Sequence, residues 1–216
     1  FAHDGAVTLV CGPKRSGKTS LLVHALQSGA TYVANDRVFA TVDAPVVAHA
    51  VPTIVALREG TLDRFPRLRA AYDTARYDRG RSIAECGPGV VRPAPRTAAG
   101  ADRPGITPAQ FCDLLGVPMS SGGAVRTLVF PRVDPGARGM EVRSLPASEA
   151  APLLRESLIR ASTRIRGSAL FTLSDGRAAI SADDEARLCL AFASNIQAVA
   201  CRLGPRAYET DVFAAL

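Results

Sequence analysis

The stretch that most constrains this chain is Gly12-Pro13-Lys14-Arg15-Ser16-Gly17-Lys18-Thr19, a complete G-x-x-x-x-G-K-[ST] phosphate-binding loop. Such a loop has meaning only between a buried strand and a helix, and the flanking residues predict both. Ala6-Val7-Thr8-Leu9-Val10-Cys11 is an apolar run of strand length. Residues 18–28 carry Leu21, Leu22, Ala25 and Leu26 on one helical face before Gly29 supplies a stop. The backbone N–H groups of residues 13–19 are then expected to converge on phosphates at the helix N-terminus. Lys18 would bridge the β- and γ-phosphates of ATP, the Thr19 hydroxyl would ligate Mg²⁺, and Ser20 completes the expected nucleotide-binding set.

The lysine usage points the same way. Of 26 basic residues only Lys14 and Lys18 are lysines, and both sit in the loop; everywhere else Arg carries the positive charge. Keeping a compact ammonium at Lys18 fits a site that needs a point charge in place of a planar fork. The formal charge of +6 is spread as scattered Arg with no aromatic-interleaved basic stripe, which argues against a nucleic-acid surface. Cys11, Cys86, Cys112, Cys189 and Cys201 are odd in number and lack C-x-x-C spacing, so neither a disulfide framework nor a zinc site is expected, and a reducing cytoplasm fits. No apolar run reaches the roughly 20 residues of a membrane span, and no signal peptide is visible. The chain opens on Phe1, not Met, so a preceding segment is expected.

With 216 residues and 47% hydrophobic content, one good-sized domain is expected over residues 1–216. Residues 30–34 read as a second buried strand ending at Asn35-Asp36-Arg37, and residues 46–51 as a third, leading into Pro52-Thr53-Ile54 and broken at Arg58-Glu59-Gly60. Residues 61–78 are mixed and partly helical. Residues 79–105 interleave Gly, Pro and Arg into a long basic loop, either a solvated excursion or a lid over the substrate. Thr107-Pro108 starts a helix. Strands are predicted over residues 125–130, ending in Pro131-Arg132, and over residues 140–145, with a helix within residues 147–163. Ser181 caps a last helix whose stripe runs through Leu188, Phe192, Ile196, Val199 and Leu203 to the stop at Gly204-Pro205. The alternation favours an α/β fold, with no internal repeat.

The phosphate loop alone does not choose among kinase, GTPase and motor. A guanine-specifying Asn-Lys-x-Asp element is excluded, because there is no lysine outside the loop. No distant apolar strand ends directly in Asp: Leu128-Val129-Phe130 runs into Pro131-Arg132, with Asp134 further on. An acid stands much closer, at the end of Tyr32-Val33-Ala34-Asn35-Asp36. A strand parallel to the first would bring Asp36 beside the loop at the strand C-terminal edge, to hold Mg²⁺ or accept a hydroxyl proton. Arg58 and Glu59 at a strand end are candidates for phosphate and metal contacts, and Arg132 for an Arg clamp on the transferring group. His3, His24 and His49 lack metal spacing; His24 is expected to be solvated and His49 packed in its strand.

The run from Gly12 to Val38, with its phosphate loop, a helix ending at Gly29 and Tyr32-Val33-Ala34-Asn35-Asp36-Arg37-Val38, resembles the catalytic domain of HPr kinase/phosphorylase, whose fold is related to ATP-dependent phosphoenolpyruvate carboxykinase. In that family the strand after the loop helix ends in two adjacent acids, one a base and one a metal-handling group. Here the pair is Asn35-Asp36. The resemblance therefore implies Asp36 as base or metal ligand and speaks against the reverse, phosphorylase reaction. It covers roughly the first 40 residues, and the family's partner-recognition signature is absent from residues 60–120. The implied activity is transfer of the ATP γ-phosphoryl group to a hydroxyl of a peptide or small molecule, as in kinases of bacterial peptide and natural-product pathways, with a homo-oligomer as one assembly. Two other expectations stand beside it. One is a small-molecule kinase of the nucleoside or shikimate type, with residues 79–105 as its lid. The other is a non-catalytic nucleotide-sensing module, which the amide at Asn35 favours.

Overall fold

The computed structural model describes residues 1–74, 105–159 and 181–216. The basic segment at 79–104 lies outside the described residues, as does everything from 160 to 180.

In chain order the described elements are β1 (Ala2–His3), β2 (Ala6–Val10), α1 (Lys18–Gln27), β3 (Arg37–Ala40), β4 (Val47–Val51), β5 (Val55–Ala56), α2 (Glu59–Leu62), α3 (Pro66–Thr74), β6 (Gly105–Ile106), α4 (Pro108–Leu115), β7 (Gly122–Val133), β8 (Met140–Leu145), α5 (Ala147–Ser157), α6 (Ala182–Ser194), β9 (Gln197–Leu203) and α7 (Val212–Ala215). The fold is α/β around one mixed sheet. β7 is its spine: β2 runs parallel to it from Val125 to Val129, β9 runs parallel from Thr127 to Val133, and β4 pairs antiparallel at Gly122–Ala124. β8 closes on β9 and β1 on β2, both antiparallel, and β3 forms a hairpin with β4.

Alternation along β7 sends neighbours to opposite faces. Val129 joins a core with Leu21, Leu22 and Leu26 of α1, Phe111 of α4, and Val199, Cys201 and Leu203 of β9. Leu128 and Phe130 join a second core with Val7 and Leu9 of β2, Ala150 and Leu154 of α5, and Cys189 and Phe192 of α6. Helices thus cover both faces. Leu21 and Leu26 are almost wholly buried, which contributes about 2 kcal/mol each and fixes α1, and with it the phosphate loop, against the sheet.

Three sequence expectations are corrected here. Ala30, Tyr32 and Val33 are buried, but residues 30–34 do not form a strand beside β2. Thr31 bridges Ala2 antiparallel and Tyr32 bridges Met119, with Tyr32 N–H donating to Pro118 O and Ser120 N–H to Tyr32 O. The strand predicted to end before Pro131 continues to Val133. Pro131 fits because Cys11 N–H donates to Val129 O, so residue 131 faces the same side just where β2 has ended, and its missing N–H breaks no ladder bond. The long C-terminal helix is two elements. α6 stops at Ser194 and residues 197–203 form β9, where Val199, Cys201 and Leu203 alternate into one core. The buried residues of α6 are Cys189, Phe192 and Ala193, whereas Leu188 is exposed. Thr107 caps α4 as expected, in a full capping box with Gln110. No helix among the described residues is long and apolar enough to cross a membrane.

Candidate functional site: the phosphate loop

The loop lies where β2 ends and α1 begins. Gly17 is the N-cap residue of α1, at φ 100°, with no side-chain cap on the helix and no acid in its first turn. Most helices occupy that position with a Ser, Thr, Asp or Asn oxygen. An uncapped N-terminus leaves its N–H groups and the positive end of the helix dipole to an external anion. Glycine is needed at 17 on two counts. A positive φ disfavours a side chain, and a Cβ there would lie 2.7 Å from Leu203 Cδ1 and 3.3 Å from Val133 Cγ2, both anchored in sheet strands. At Gly12, also at positive φ, a Cβ would press to 3.1 Å from Ser16 Oγ.

Within this cradle Lys18 Nζ donates to Gly12 O at 2.7 Å and to Pro13 O at 2.6 Å. The ammonium therefore sits inside the loop and is not extended into solvent. Burial lowers its pKa; the Asp36 carboxylate and the Cys11 thiol act to raise it, and the Arg58 guanidinium adds to the lowering. Burial pushes the Cys11 thiol up to about 11, against the pull of Lys18. Ser16 is buried and its Oγ has no hydrogen-bond partner among the described residues, a donor and acceptor group held inside the loop. Pro13, Lys14 and Arg15 are exposed on the rim, and Thr19 is half-buried in the first turn of α1.

Asp36 arrives by a different route from the one the sequence suggested. The bridges to Ala2 and Met119 hold residues 31–32, and Asn35 fastens the segment at its far end. Tyr32 O–H donates to Asn35 Oδ1 at 2.7 Å, Thr53 O–H to the same oxygen at 3.4 Å, and Asn35 Nδ2 donates to Ile54 O at 3.3 Å. Asp36 follows, exposed, with Arg37 Nε at 3.6 Å. Burial raises the Tyr32 phenol well above its usual range, so it acts as a hydroxyl donor throughout.

The other candidates separate. Arg132 is exposed on β7 next to Pro131, whose carbonyl faces Gly12, and its charge is among those that lower the Asp134 carboxyl. Glu59 is turned to Arg69, which reaches its Oε2 at 2.5 Å and Asp63 at 2.7 Å. Asp134 accepts from Gly136 N–H and Arg202, and those two contacts, in that order, hold its carboxyl below the usual range. His24 is buried, not solvated: its Nε2 donates to Thr210 O at 2.8 Å. His49 is exposed opposite Phe39 in the β3–β4 hairpin, not packed.

One support was invisible in the sequence. Tyr208 stands under the loop near Gly17, edge-on to His24 and Phe65, with the Arg64 guanidinium 5.1 Å from its ring centre. It belongs to no motif, and nothing short of the tertiary contact reveals it. A hollow of about 560 Å³ lined by Gly5, Ala124, Arg126 and Asn195 opens at the opposite end of the parallel strands, away from the loop. Its lining carries no candidate catalytic group. Among the described residues no group of three or more His, Cys, Asp or Glu could hold a metal by itself. Thr19 and Asp36 carry oxygen donors of the kind that Mg²⁺ takes alongside phosphate or water oxygens. Comparison with models of known families, with curated proteins and with solved structures finds no match.

Proposed function

We propose that this chain is an ATP-dependent kinase, an α/β phosphate-loop domain of the HPr kinase type, that transfers the γ-phosphoryl group to a hydroxyl of a peptide or small molecule. The observation that carries the reading is Lys18 Nζ, held by the Gly12 and Pro13 carbonyls inside a helix-terminal loop that has no side-chain cap. The loop N–H groups and Lys18 would hold the β- and γ-phosphates. Thr19 and Asp36 would hold Mg²⁺, which neutralises phosphate charge when bound. Asp36 would accept the acceptor's proton as its oxygen bonds to the γ-phosphorus and the bond to the β-phosphate oxygen breaks, releasing ADP. Arg58 and Arg132 would offset charge on the transferring group. Glu59, engaged by Arg69, has no part in this scheme.

A second reading, nucleotide sensing without transfer, is favoured by the full engagement of Asn35, which leaves one carboxylate at the site. Incubation with γ-labelled ATP and Mg²⁺ against panels of hydroxylated peptides, nucleosides and small alcohols decides between them. Label should appear in an acceptor with wild-type protein and disappear with Asp36→Asn, while ATP binding persists. Tight binding with no transfer to any acceptor, and no slow transfer to water, supports sensing instead. Transfer confined to small alcohols or nucleosides marks the small-molecule type.

A further inference from the structure

Asn35 has three polar contacts, and their chemistry specifies an amide. Ile54 O can only accept, so Nδ2 must face it, which turns Oδ1 to the Tyr32 and Thr53 hydroxyls. A carboxylate could accept from both hydroxyls but would set oxygen against the Ile54 carbonyl. An apolar side chain would leave Tyr32 O–H, on a residue only 1% exposed, without its partner. The two strands of chain joined here both lead to candidate residues of the site. Asp36 is the next residue after Asn35, and Arg58 follows Ile54 through the short strand β5. Among the described residues Asp36 is paired with the exposed Arg37 at 3.6 Å. An exposed pair of that kind fixes little.

Resting on the kinase reading above, we propose that Asn35 is a positioning residue: its amide fastens the Tyr32–Asp36 segment to the Thr53–Ile54 segment and so holds Asp36, and with it the Arg58 segment, against the Lys18 end of the phosphate loop. It touches neither nucleotide nor acceptor. The acid beside the loop is useful only if it stays within reach of the reacting atoms, where a displacement of about 1 Å can cost on the order of 10²-fold in rate.

The test uses the fact that the chain has two lysines, so ¹³C-lysine labelling gives a signal for Lys18 that Lys18→Ala identifies by its loss. In otherwise wild-type protein, Asp36→Asn should lower the Lys18 titration midpoint, because a carboxylate that favoured the ammonium is gone. In an Asn35→Ala background the same substitution should no longer move it. Mg-ATP affinity should stay within about threefold in Asn35→Ala and Asn35→Asp, whereas single-turnover transfer falls about 10- to 100-fold. Should Asn35→Ala prove too unstable to titrate, Thr53→Val, which removes one donor, serves with a smaller effect. An Asp36→Asn shift of Lys18 that survives intact in these backgrounds overturns the proposal, as does wild-type transfer by Asn35→Asp at pH 8. The lysine titration needs no turnover, so failure of the kinase reading shows separately, as a wild-type protein that fails to bind ATP or to transfer phosphate.

Discussion

Lys18 has three donors, and the carbonyls of Gly12 and Pro13 engage two of them. The ammonium is therefore oriented before any ligand arrives, and its loss removes both a charge and an internal brace of the loop. Asp36→Asn removes the carboxylate but leaves that brace intact. Transfer should fall by about 10² to 10⁴, the range for losing a general base, with Mg-ATP affinity changed far less; unchanged single-turnover transfer would remove Asp36 from the chemistry. Cys11 offers an independent probe of the same charges. With its thiol pushed up to about 11 by burial, it is protonated at neutral pH, and iodoacetamide should label it slowly, about tenfold faster per pH unit up to that value. Because Lys18 favours the thiolate, Lys18→Ala should slow labelling at any fixed pH below 11. Faster labelling of that variant would mean that the two groups do not share one environment.

At the scale of elements, the loop depends on what α1 and the sheet ends permit. Gly17→Ala would force a side chain into a positive-φ position against Leu203 and Val133, at a cost of about 1–3 kcal/mol in backbone strain alone. It should lower the melting temperature and weaken ATP binding together; full affinity in a stable Gly17→Ala protein would contradict the loop geometry. Thr107→Ala should cost about 1 kcal/mol through the lost capping box, read as a lower melting temperature. Local chemistry of this kind was readable directly: the phosphate loop, the Thr107 cap, and β8 from Met140 to Leu145 all follow from short-range patterns. What escaped was set by tertiary contact. A run such as Ile196-Gln197-Ala198-Val199 suits a helix stripe or a strand equally, and only its place between β7 and β8 makes it β9. Residues 30–34 look like a strand because Ala30, Tyr32 and Val33 are buried, yet their hydrogen bonds go to Ala2 and to the turn after α4. Asn35 looked like a lost acid until its three partners were placed.

For the molecule as a whole, the sheet separates two cores, and the loop belongs to one of them. Leu128→Ala opens a cavity on the α5–α6 side and should cost about 3 kcal/mol while leaving ATP affinity unchanged at temperatures where the protein stays folded. Val129→Ala, its neighbour, loosens the face that α1 packs on, and should weaken ATP binding as well as stability. Equal effects of both on affinity would mean that the faces are not independent supports. Everything in the proposed chemistry depends on the loop accepting a nucleotide's phosphates. Titration calorimetry of Mg-ATP into wild-type protein and into Lys18→Ala, with circular dichroism to show that both are folded, tests this most directly. Saturable one-to-one binding by the wild type, weakened at least about tenfold by removing the ammonium, is the predicted result, a loss of about 1.4 kcal/mol or more. No binding by the folded wild type, or the same affinity in both proteins, would contradict it.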